Sequence, residues 1–172
     1  MTPGSTVTTP RGTTLLLATF VAAGCAVPPA TTSTPEATPA QTATQAYERY
    51  WQVTEDAFAA PRARDWTAEL ESVASGQALE SAMADYLTYR DYPAHSEGRV
   101  SRAPVVESAT EERVVIVDCL DLGESLLIAD ETGDILDDLD NRVQRYTLRA
   151  DLVRTDTEWQ VDHLRPALDQ PC

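Results

Sequence analysis

The chain holds few residues whose type and spacing suggest covalent or metal chemistry. A nucleophile, base and orienting acid can be drawn up from one of many serines, His163 and an aspartate, but the strained turn that presents a catalytic serine has no counterpart in the sequence. The only histidines are His95 and His163, and no CxxC pair accompanies them, so zinc-type spacing is absent. The acidic run Asp130 to Asp140, DETGDILDDLD, has the carboxylates for calcium but lacks the glycine at the sixth loop position and the closing glutamate of an EF-hand. It reads as a solvated acidic loop. No cofactor and no metal is expected, and no catalytic residue is assigned.

Charge narrows the partners. The chain of 172 residues carries a formal charge of −15, and all 13 basic residues are arginine. Such an excess repels a phosphate backbone, which argues against nucleic acid, and it opposes adhesion to anionic headgroups. Any membrane attachment must therefore come from something other than surface charge.

That something is suggested near the start of the sequence. One positive residue, Arg11, precedes the apolar run LLLATFVAAGC from Leu15 to Cys25. A bilayer span needs about 20 apolar residues, so this run fits an export signal better than a membrane helix. Ala22, Ala23 and Gly24 before Cys25 resemble a bacterial lipobox, although Ala22 stands where leucine is usual. The resemblance implies cleavage after Gly24 and diacylglycerol on the Cys25 thiol. The expected address is the outer, extracytoplasmic face of the cell membrane, or the medium if another small residue is cut. Residues 25–44 are Thr/Pro-rich and have almost nothing to bury, so they read as a tether behind the 1–24 signal.

Residues 45–172 carry the pattern of one folded domain, roughly 125 residues with a real core. In Gln45 to Ala60, Tyr47, Tyr50, Trp51, Thr54 and Phe58 share a helical face, and Pro61 stops the run. Asp65 is placed to cap a short helix with Trp66, Leu70 and Val73, ending near Gly76. Leu79, Met83, Tyr86 and Leu87 mark a third helix over Gln77 to Arg90. After residue 98 the period changes. Arg113 to Leu120 reads as a strand largely buried on both faces, with Asp118 and Cys119 on opposite sides. Gln144 to Arg154 alternates, with Tyr146 and Leu148 on the core side, and is expected to form a hairpin with Glu158 to Leu164, where Trp159, Val161 and His163 would share a face. Val100 to Ser108 and Ser125 to Ala129 are weaker strand candidates. Helices followed by strands predict an α+β fold, with helices packed on a mostly antiparallel sheet.

From about Ala46 to Cys172 this pattern resembles the NTF2-like cone fold, in particular small secreted and lipid-anchored members from high-GC actinobacteria. The resemblance rests on AYERYW at Ala46 to Trp51, VVIVDCLD, LIADETG, the long alternating strand, EWQV at Glu158 to Val161 and the last cysteine. It implies a curved sheet around a cavity flanked by Tyr47, Trp51, Tyr86 and Tyr146. It also implies homodimers in some members. Some relatives are isomerases or dehydratases with an aspartate or histidine base inside the cone, for which Asp118 and His163 qualify by residue type, with Tyr47 or Tyr50 as a donor. The leading expectation is nevertheless a non-catalytic binding domain for an envelope protein or a small apolar ligand. With Cys25 lipidated, Cys119 and Cys172 remain as one pair in an oxidising compartment, and a disulfide between them would stabilise by on the order of 4 kcal/mol.

Overall fold

A computed structural model describes residues 36–156 and 158–172. The signal run, Cys25 and most of the tether lie outside the described residues. Among the described residues three helices precede the strands: α1 (Pro39–Ala59), α2 (Thr67–Val73) and α3 (Gly76–Asp91). Six strands follow: β1 (Ala94–Glu97), β2 (Val105–Ala109), β3 (Arg113–Asp121), β4 (Leu126–Ala129), β5 (Arg145–Arg154) and β6 (Trp159–Ala167). The fold is α+β, with a four-stranded antiparallel sheet in the order β2-β3-β5-β6 and a separate antiparallel pair, β1-β4. Among the described residues no helix is long and apolar enough to cross a membrane.

α1 begins at Pro39, inside the segment expected to be tether. The cause is local. The Thr38 hydroxyl accepts from the Gln41 N–H while the Gln41 side chain accepts from the Thr38 N–H, and Pro39 fits the first turn, where no N–H is needed. The added turns bury Ala43. At the second helix, Asp65 accepts from the Thr67 N–H at 2.9 Å. Gly76 has φ of 50°, and a side chain there would strike the Asp162 carboxylate, so glycine is required at this junction.

All three helices cover one face of the large sheet. Val114 and Ile116 of β3, Ala150 and Leu152 of β5, and Trp159 and Val161 of β6 form the core there with Tyr47, Leu70 and Tyr86. The expected burial of β3 on both faces needs correction. Val115 is buried on the outer face, but Val117 and Cys119 are only half-buried, because no helix covers that side. Ion pairs Glu107–Arg149 and Asp151–Arg165 cross it instead.

Two further differences have simple causes. β1 was not expected, since AHSE has neither length nor β-branched residues, and its strand form depends on pairing with β4. In the β5–β6 hairpin a bulge sets Leu152 opposite Val161 but Asp151 opposite His163. The extra residue reverses the side-chain parity, so Trp159 and Val161 point into the core while His163 is exposed.

Cys119 and Cys172 form a disulfide with their Cα atoms 5.7 Å apart. The Thr147 N–H also donates to the Gln170 carbonyl at 2.9 Å. Together they hold the end of the chain beside β5 and β3, on the uncovered face.

Candidate functional site

The polar centre of the domain's interior is Asp118. As an inward residue of β3, it lies beneath α1 with 1% of its surface exposed. One oxygen, Oδ2, accepts from the Tyr47 hydroxyl at 2.8 Å, and Oδ1 accepts from the Ala103 N–H at 2.6 Å. A carboxylate buried in this way requires such partners, since desolvation without them is expensive. Tyr47 has no exposed surface. Burial first, and then the Asp118 charge, push its hydroxyl far above the ordinary phenol range, against the opposing effects of Trp51 and Arg102. Tyr47 is therefore a neutral donor. The arrangement ties α1, β3 and the segment leading into β2 at one point.

Trp51 packs beside Tyr47, and Tyr146 belongs to the neighbouring apolar cluster. Trp51 lies edge-on to Tyr47 at 6.3 Å and to Tyr50 at 5.7 Å between ring centres, and it packs against both apolar clusters of the interior. Its indole nitrogen is buried without an acceptor among the described residues. Half-buried Tyr146 stands across from Leu120, beside Val100 and Leu148. The other two anticipated residues lie apart from Asp118. The Tyr86 hydroxyl donates to the Arg64 carbonyl at 3.3 Å in the connection between α1 and α2. His163 is on the exposed side of β6, paired with Asp162 at 2.8 Å. A carboxyl pushed above its ordinary value by desolvation, Asp85, belongs to the outward side of α3 and not to this interior.

Each Asp118 oxygen thus holds one donor, and Trp51 packs edge-on to the Tyr47 that supplies one of them. One surface cavity of about 360 Å³ reaches the Asp118 position from beside Ala103, Val105 and the disulfide. A second, of about 390 Å³, continues across Val117, Thr147 and Arg149 on the uncovered sheet face. A third, of about 350 Å³, runs between α1 and β6 past Gln45, Arg49, Val73 and Trp159. None of the three is lined by Tyr47, Trp51 or Tyr146.

Sequence reasoning missed two charged hubs. Glu55 Oε1 accepts from Arg102 at 2.6 Å and from the Val100 N–H at 3.1 Å, while Oε2 accepts from Arg99 at 2.9 Å. Arg102 also stands 5.5 Å over the Trp51 ring. Elsewhere Arg62 donates to the Tyr89 and Tyr92 carbonyls and to Asp130, whose other oxygen meets His95 Nδ1 at 2.7 Å. These partners are far apart in sequence, so no local pattern announces them.

The acidic run forms the connection between β4 and β5. Asp137 accepts from the Leu127 N–H at 2.6 Å, and Arg142 donates to the Ser125 and Leu122 carbonyls at 2.8 and 3.0 Å. The connection is therefore ordered by its own polar groups. No group of three or more His, Cys, Asp or Glu side chains able to hold a metal ion occurs among the described residues.

No family model matches the chain, and no curated protein matches it. Among solved structures, it is similar to the intermembrane space region of chloroplast protein ARC6. The TM-score is 0.55 at 16% identity, over 77% of this chain and 98% of that one. At that identity the likeness shows the fold alone.

Proposed function

We propose that this chain is a lipid-anchored protein of the extracytoplasmic membrane face, whose domain binds a protein partner through its surface and catalyses no reaction. The observation that carries the non-catalytic half is the burial of Asp118: it is 1% exposed, each of its oxygens is engaged by a donor, from Tyr47 and from the Ala103 N–H, and Trp51 packs edge-on to Tyr47. A working base needs a free lone pair facing a substrate. The anchoring half rests on the apolar run ending at Cys25, and the Cys119–Cys172 bridge is in keeping with an oxidising compartment. An NTF2-like cone is the fold type we favour, supported by helices preceding a four-stranded antiparallel sheet. The competing account, an isomerase or dehydratase with Asp118 as base, would require Tyr47 to swing away.

Intact mass of the membrane-extracted mature protein, taken with and without cross-linking of whole cells, tests this proposal. A start at Cys25 with added diacylglycerol, and a protein adduct after cross-linking, is the expected result. A start elsewhere without lipid, and no adduct, would contradict it.

A further inference from the structure

Residues 130–144 form a long connection without a helix or strand, and long ordered connections in compact domains are commonly functional. Its polar hooks face inward, on Leu127, Ser125 and Leu122, while Ile135, Leu136, Leu139 and Val143 remain 48, 40, 50 and 39% exposed. These four account for half of the large apolar residues exposed among the described residues. Asp130 pairs with Arg62 and His95, and Asp137 with Arg142. The carboxylates interleaved with the apolar group, Glu131, Asp134, Asp138 and Asp140, are exposed and form no salt bridge among the described residues. The uncovered sheet face differs, because its charges neutralise each other as Glu107–Arg149 and Asp151–Arg165.

We infer that the β4–β5 connection is a docking surface for a basic amphipathic polypeptide segment, an inference that rests on the protein-binding reading above. The apolar side chains supply the area that a partner would cover. The uncompensated carboxylates fix the partner's sign, since arginine or lysine flanking its apolar residues would meet them at the rim. A second copy of this chain does not fit: apposing two such connections would bring like charges together, and Arg142 is already engaged by Asp137 and two carbonyls. An anionic membrane surface is opposed for the same reason. Because the connection is already held by Asp137 and Arg142, little ordering entropy is lost when a partner docks.

The test is fluorescence anisotropy of the full chain with a labelled helical peptide of roughly 18 residues built from leucine and lysine, beside its leucine and glutamate counterpart. The lysine peptide binds the unmodified chain and the glutamate peptide does not. The Leu136→Ser/Leu139→Ser variant weakens binding about tenfold or more, as expected when central apolar anchors are removed. The Asp138→Asn/Asp140→Asn variant weakens it about threefold and flattens its salt dependence. Both variants keep a cooperative thermal transition within about 5 °C of the parent, which separates lost docking from lost folding. Equal binding of the lysine peptide to the parent and the Leu136→Ser/Leu139→Ser variant would overturn the inference, because diffuse negative charge would then be the attractor. Absence of binding to the parent would overturn it as well. Neither result touches the anchored, partner-bound reading, which fails on the mass measurement instead.

Discussion

Two acidic regions of this domain use their carboxylates in opposite ways. Around Asp118 both oxygens are engaged by donors from different elements, and the side chain is buried. Along residues 130–144, Asp130 and Asp137 order the connection while neighbouring carboxylates and apolar side chains remain in solvent. The first is a joint and the second a face. A buried acid in an α+β interior invites a catalytic reading, yet here its hydrogen bonds make it a fastening between α1 and β3. The residues left without a task in folding lie on the surface.

The comparison is broken most severely by cutting what holds the scaffold together. Cys172→Ser, or reduction of the disulfide, is expected to cost on the order of 4 kcal/mol, visible as a lower denaturant midpoint. Asp118→Ala comes next. It strands the Tyr47 hydroxyl and the Ala103 N–H in the interior, for about 3 kcal/mol of lost stability by chemical denaturation. Tyr47→Phe removes one donor and leaves the other, and is expected to cost about 2 kcal/mol in the same assay.

A smaller effect comes from pH. Hydrogen bonding to Asp130 is the largest influence on His95 and, against partial desolvation and with the help of Glu97, raises its pKa above the ordinary value. A raised folded-state value means that the protonated ring stabilises the fold. This stabilisation is fully present below the unfolded imidazole value of about 6.5 and is lost as pH climbs through the higher folded value. Melting temperatures measured across neutral pH should fall in that interval in the parent and flatten in His95→Gln. The last effect sharpens the contrast: Leu136→Ser with Leu139→Ser should lower stability by about 1 kcal/mol, since 40 and 50% of their surface is already in solvent.

Much of this scaffold is legible in the sequence because it is written in local period. The aromatic face of α1, the alternation of β5 and the apolar run of β3 each report a neighbour, and the α+β class follows from their order. The capping pair Thr38 and Gln41 was also written locally, but it lay hidden within a stretch whose composition reads as tether. His163 was misplaced because one bulge reverses parity, and alternation in the sequence carries no mark of an extra residue. The site was less legible than the fold. Asp118 stands out by type, but its hydrogen-bond partners are the Ala103 backbone and Tyr47, 71 positions away. The acidic connection looked merely solvated until the exposure of its four apolar residues could be seen.

The most direct test of the division between joint and face is amide hydrogen exchange of the full chain, with and without the leucine–lysine peptide. The account predicts that the Ala103 amide, bonded to Asp118, exchanges slowly and identically in both samples, while added protection is confined to residues 130–144. Rapid exchange at Ala103, or protection that gathers around Asp118 and Tyr47 instead, would contradict it and return the interior to consideration as the working site.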